Sequence, residues 1–165
     1  MQYKYCPLCG EKLVIKYCWD EGGVPFCETH KELFFNLPKP CIMIGVVKEN
    51  HILLLKQSYI FKNSKVLLTG YVGIDETAEE AAIREVKEES GLNVNGIKYL
   101  GSDYVEGKEI LMLTYMAFYE SGEIVKSDEV EDMGWVKLDE ALSVMQEDIV
   151  GKKVVEKILK YLKNN

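Results

Sequence analysis

The sequence predicts an α+β chain: a mixed β-sheet carrying a few helices, preceded by a small cysteine-bearing unit. Three observations carry that prediction. Apolar, β-branched runs such as "CIMIGVV" and "HILLLKQ" are separated by turn residues, the signature of strands. Residues 77–90, and later "KKVVEKILKYLKN", place apolar residues at helical spacing instead. Four of the five cysteines fall in the first 27 residues. After them "NLPKP" at 36–40 interrupts regular structure, because each proline removes a donor and restrains its predecessor. The expected division is 1–36 and 37–165.

Along the second unit, "CIMIGVVKENHILLLKQ" reads as a β-hairpin turning at "KEN", and "KVLLTG" at 65–70 as a short strand. On the helix that follows, Ala78, Ala82, Ile83 and Val86 form the expected apolar stripe. Thr77 is the N-cap with Glu80 three residues on, and Gly91 is the stop. "IKYLGSDYV", "EILMLTYMAFY" and "MGWVKL" are further strands, and "DEALSVMQ" and "KKVVEKILKYLKN" are helices.

Composition narrows the function. The chain has 165 residues, 20 basic against 27 acidic, for a formal charge of −7. Non-specific nucleic-acid binding wants a basic surface, so nucleic acid is a poor expectation. A small phosphorylated ligand carried by a divalent cation suits an acidic protein better. No run is long enough to cross a bilayer, and the opening "MQYKYCPLCG" lacks the layout of a secretion signal. The expected location is the cytoplasm.

Glu85, Glu88 and Glu89 pose the main question. At i, i+3 and i, i+4 on a helix they are surface neighbours, and each like-charge pair costs roughly 0.2–0.5 kcal/mol. Only Arg84 and Lys87 lie among them, which reads as too few cations to relieve the crowding. A hard divalent ion would do so, since it prefers carboxylate oxygens. A solvated acidic face is the ordinary fate of such a triplet.

The flanking residues change that balance. Gly70, Glu76, Arg84, Glu85, Val86, Glu88, Glu89, Gly91 and Leu92 spell Gly-x5-Glu-x7-Arg-Glu-φ-x-Glu-Glu-x-Gly-φ, with φ aliphatic. Seven fixed letters at ordinary usage give a chance match of about 10⁻⁶ over the chain. The segment resembles the Nudix box in every defined position. The resemblance implies an α/β/α sandwich with a mixed sheet, and a loop–helix–loop holding one to three Mg²⁺ or Mn²⁺ ions against a diphosphate. It implies Glu85, Glu88 and Glu89 as metal ligands, with the carbonyl at or beside Gly70 assisting. Arg84 would pair with loop carboxylates, and Glu76 would orient that network. Glu89 and Glu88 rank ahead of Glu129 as general base. Glu129, in "SDEVEDMGWVKLDEA", resembles a further metal ligand of the family.

At the front, Cys6-x2-Cys9 and Cys27-x2-His30 are 17 residues apart. Two such hooks bring four ligands to a tetrahedron around Zn²⁺, with Cys18 as the competitor for His30's place. Cys18 and Cys41 otherwise read as small packed residues. A zinc ribbon before this box, joined by "FFNLPKP", resembles the NADH-pyrophosphatase-like branch of the family, whose members often form homodimers. There Phe34 or Phe35 would stack near the nucleotide, while Ser102 and Tyr104 stand where the branch contacts a dinucleotide. The branch's Ser-Gln-Pro-Trp-Pro-Phe-Pro is replaced by "SDYVEGK", without its prolines.

The implied activity is hydrolysis of the diphosphate linkage in a nucleoside diphosphate derivative: NAD(H), ADP-ribose, a similar dinucleotide or a nucleotide sugar. The alternative is a non-catalytic regulator that uses the same fold to bind a ligand or nucleic acid.

Overall fold

The computed structural model describes residues 3–57, 61–128 and 130–164. The chain divides into two compact units, Met1–Pro38 and Lys39–Asn165.

In the first unit, β1 (Val14–Cys18), β2 (Gly22–Cys27) and β3 (Glu32–Leu33) form an antiparallel sheet in that order. A 3₁₀ turn at Trp19–Glu21 joins β1 to β2. Among the described residues its buried apolar side chains are few: Cys6, Val24, Pro25 and Cys27.

The second unit contains β4 (Lys39–Lys48), β5 (His51–Lys56), β6 (Leu68–Tyr71), α1 (Ala78–Ser90), β7 (Asn93–Val105), β8 (Ile110–Ser121), β9 (Asp132–Lys137), α2 (Ala141–Val144) and α3 (Ile149–Lys163). The sheet runs β7-β8-β4-β5-β9 and is mixed, since β4 and β8 are parallel and the other pairs antiparallel. It forks at β4. The late half of β4 pairs with β5 (Val47 with Ile52), and the early half pairs with β6 (Ile42 with Gly70). That fork sets Gly70 at the sheet end from which α1 departs.

Side chains alternate along β4 and so divide the core. Ile42, Ile44 and Val46 pack with Ala81, Ala82 and Val86 of α1, whereas Met43 and Val47 pack with Val154, Val155 and Ile158 of α3. Each large side chain buried in these layers contributes roughly 1.5–3 kcal/mol. Helices cover both faces of the sheet, giving the α/β/α sandwich that the sequence predicts.

Two local expectations are corrected. Ile83 is 43 % exposed, and Ala81 takes its place on the buried stripe of α1. "DEALSVMQ" makes only one helical turn, Ala141–Val144. The lead-in to β6 takes the groups a longer helix would use: the Lys65 N–H donates to the Val144 carbonyl at 2.8 Å, and the Glu147 N–H to Ser64 Oγ at 3.3 Å. Asp148 then caps α3 by accepting from the Gly151 N–H.

Candidate active site

Helix α1 is fixed at both ends. Thr77 Oγ1 accepts from the Glu80 N–H at 3.2 Å, and Glu80 Oε2 accepts from the Thr77 N–H at 2.8 Å, a complete capping box. At the other end Gly91 is left-handed (φ 73°) and donates to the Lys87 carbonyl. With its register set this way, α1 turns Glu85 and Glu89 toward the same side as Ala81, Ala82 and Val86, because residues three and four apart share a face.

Glu85 is therefore not a solvated acid. Its side chain is only 14 % exposed, and burial pushes its carboxyl above the usual glutamate range, against the pull of Arg84. It packs against Gly70 so closely that a Cβ there would overlap its carboxylate. Glycine at position 70 is thus a requirement of space.

Arg84 holds the acids together. Its Nε and Nη2 donate to the two oxygens of Glu76 at 3.0 and 2.8 Å, and Nη1 donates to Glu85 at 2.8 Å and to Glu88 at 2.9 Å. Nη2 also reaches the Tyr71 carbonyl at 3.1 Å, tying helix to loop. The expectation that basic residues are too sparse here is corrected. One planar guanidinium serves three carboxylates, which its fork of donors permits and a lysine's point charge would not. Lys87, by contrast, turns away to the Gly91 carbonyl and Asn93.

Arg84's donors, and after them the Gly73 N–H, hold the Glu76 carboxyl at about 2. Its stabilising charge is thus complete above the ordinary glutamate value of about 4.3 and is lost as pH falls through about 2.

Glu89 sits one turn beyond Glu85, and its carbonyl accepts from the Ser127 N–H at 3.1 Å. The Val125 N–H donates likewise to Ser90. The stretch leading toward Glu129 is therefore laid along the end of α1, although Glu129 itself lies outside the described residues. Ser102 and Tyr104 lie on β7, the edge strand, opposite Leu113 and Leu111, and both are exposed. Phe35 belongs to the first unit and is 41 % exposed, and its neighbour Phe34 contacts the Tyr3 ring. Sequence reasoning missed Tyr71 and Ser127, which act through backbone groups and leave no side-chain signal.

Replacing Gly70 by Ala is expected to displace the Glu85 carboxylate rather than break the fold, since the obstructing atoms end a flexible side chain. With Glu85 as the expected metal ligand, turnover should fall about 10–100-fold, the usual effect of disturbing a ligand's support. The melting temperature should move little. Steady-state kinetics beside a thermal melt check this.

In the first unit, ligand atoms of Cys6, Cys9, Cys27 and His30 all lie within 4.8 Å of one another. Cys9 and Cys27 Sγ are 3.8 Å apart, and His30 Nδ1 is 3.5 Å from Cys27 Sγ and 3.6 Å from Cys6 Sγ. Tetrahedral zinc bonds give edges of about 3.8 Å between sulfurs and about 3.6 Å between sulfur and nitrogen. The four residues therefore fit one tetrahedral ion. The Leu8 and His30 N–H groups donate to Cys6 and Cys27 Sγ at 3.4 Å, and the latter bond draws the Cys27 thiol down to about 7. Glu11 joins the two hooks, accepting from Thr29 Oγ1 and from Cys9 Sγ. Cys18 stands apart, its Sγ on the Lys16 carbonyl at 3.9 Å. Cys41 is buried in the second unit.

A mixed-sheet sandwich with an arginine-clamped glutamate helix after a glycine loop defines a recognisable class. The chain belongs to the NUDIX domain family, whose model matches residues 38–158. A curated relative, the NAD-capped RNA hydrolase NudC of Escherichia coli strain SMS-3-5, is 30 % identical over 155 residues, 93 % of this chain. The chain spans 59 % of that relative's length. A NUDIX hydrolase from Nitrosomonas europaea superposes with a TM-score of 0.75 at 17 % identity, covering 99 % of this chain and 92 % of the other. The NUDIX domain of Shewanella oneidensis NrtR, complexed with ADP ribose, gives 0.66 at 17 % identity, covering 78 % and 90 %. These two likenesses bear on the fold alone. Among the described residues no helix is long and apolar enough to cross a membrane.

Proposed function

We propose that the chain is a divalent-metal-dependent hydrolase that cleaves the diphosphate linkage of a nucleoside diphosphate derivative. The substrate class comprises NAD(H), ADP-ribose and related dinucleotides or nucleotide sugars. The observation that carries this reading is the Arg84 clamp, which gathers Glu76, Glu85 and Glu88 beside Gly70. The name of the NudC relative supports the same class.

Glu85, Glu88 and Glu89, with Glu129 as a further ligand, would hold Mg²⁺ or Mn²⁺. Their hard oxygen donors fit such an ion. Arg84 engages one oxygen of Glu85 and one of Glu88, and each carboxylate has a second oxygen for a cation. When bound, the ion supplies charge neutralisation for the diphosphate and a more acidic water. Within the chain, Glu89 or Glu88 would serve as the proton acceptor for the attacking water. Glu76 fixes Arg84, and Arg84 fixes the angle of Glu85 and Glu88. On the substrate side, the Gly70 carbonyl region assists at the metal end, and Ser102 and Tyr104 contact the nucleotide. In the first unit, Cys6, Cys9, Cys27 and His30 hold a structural Zn²⁺, since four protein ligands leave no open position.

The test is a panel of diphosphate compounds offered with Mg²⁺ and with Mn²⁺, following release of AMP. Cleavage of at least one dinucleotide or nucleotide sugar is expected, with none after chelation. No cleavage of any would leave the non-catalytic, ligand-binding reading.

A further inference from the structure

A cleft of about 360 Å³ opens where the end of β5, the lead-in to β6 and α2 meet. It shares no residue with the glutamate helix. Among the described residues its charged lining is three lysines, Lys56, Lys62 and Lys65. Asn63 and Gln146 add amide groups to the same wall. The nearest acids lie outside the lining: Glu131 is 3.9 Å from Lys56 Nζ, and Asp132 is 3.3 Å from Lys65 Nζ. Lys65 thus donates a hydrogen bond to Asp132, Lys56 meets Glu131 only loosely, and Lys62 is exposed; in a chain of formal charge −7 the cleft keeps a local cationic excess.

The frame of the cleft is built. Leu55 and Val66 exchange backbone hydrogen bonds of 3.0 and 2.9 Å, and the Lys65 N–H holds the Val144 carbonyl at 2.8 Å. Ser64, only 2 % exposed, pins the rim by accepting from the Glu147 N–H. Lys56 and Lys65 therefore leave held backbone, and polar donors on a held frame favour a compact anion.

We propose that this cleft is a second ligand site and takes a phosphate group, either free or borne by a nucleoside monophosphate. A phosphate accepts several hydrogen bonds at once from ammonium and amide donors, and its charge removes the lysines' mutual repulsion. A concave site of this size suits a small phosphorylated molecule better than a polymer lying on a surface. The proposal stands apart from the hydrolase reading, since none of its residues belongs to that machinery.

The experiment titrates ¹⁵N-labelled protein with inorganic phosphate, with AMP and with uncharged adenosine, at an ionic strength held constant with chloride. Saturable shifts are expected at the amides of Asn63, Lys65, Val144 and Gln146 with the two phosphate compounds. The Lys62→Gln/Lys65→Gln variant should weaken them at least about tenfold, the loss of one charge-assisted hydrogen bond or more. Equal affinity for phosphate and AMP assigns the site to the phosphate group alone, and tighter AMP binding assigns it to a nucleotide. Shifts that fail to saturate, survive the double substitution, or fall only on residues 85–89 would overturn the proposal. Glu89→Gln should leave cleft affinity unchanged, so failure here is distinct from failure of the hydrolase reading.

Discussion

Substituting Gln for Glu89 is expected to lower turnover of a diphosphate substrate with Mg²⁺ by about 10²–10⁴-fold, the range for losing a positioned proton acceptor. The substitution keeps the shape of the side chain and removes its charge. The Ser127 N–H bonds to this residue's backbone carbonyl, a contact that the substitution leaves in place. Arg84 makes its bonds to Glu76, Glu85 and Glu88, so the clamp also survives. A normal melting temperature with collapsed kcat is the expected pair of results. Near-normal kcat would mean that this carboxylate neither binds the ion nor takes the proton, and the proposed site would have to be abandoned. A fall in melting temperature matching the fall in activity would point to a structural role instead.

Much of this site was legible in the sequence because its information is local. The capping box, the left-handed Gly91 and the spacing of the glutamates are all set within one helix, and short-range chemistry fixes them. What sequence reading lost depends on tertiary neighbours. Counting cations along the helix suggested uncompensated acids, whereas Arg84 reaches across to Glu76 on the preceding loop. Ile83 and Ala81 both suit a helical stripe, and only the position of the sheet decides which one is buried. The single turn of α2 ends because β6's lead-in takes its hydrogen-bonding groups, a competition that no propensity records. Spacing left Cys18 and His30 as rivals for the metal. The hairpin decides it: Cys18 pairs with Gly22 at the turn, whereas Phe26, next to Cys27, pairs with Val14 at the opposite end. Four residues of strand separate those ends, about 13 Å, too far for Cys18 to complete a tetrahedron with Cys27.

Removing the proposed zinc should have the largest structural effect, and it should be confined to the first unit. Among its described residues Met1–Pro38 buries little apolar surface beyond Cys6, Val24, Pro25 and Cys27, and two of those four belong to the proposed zinc tetrad. Segments below about 40 residues usually need a metal, disulfides or a partner to fold, and the five cysteines form no disulfide. Binding of a structural zinc is then folding free energy for that segment, of about 10–16 kcal/mol in comparable peptides. Protein purified without chelator should carry about one zinc per chain, the capacity of a single tetrahedral site. Cys6→Ser should lose it and expose β1 and β2 to limited proteolysis. Lys39–Asn165 has its own two-layered core and should resist the same digestion. Cys18→Ser should keep both the metal and the protection. Zinc-free wild-type protein with an intact first unit, or equal zinc loss in the Cys6 and Cys18 variants, would show that something other than this tetrad folds the segment.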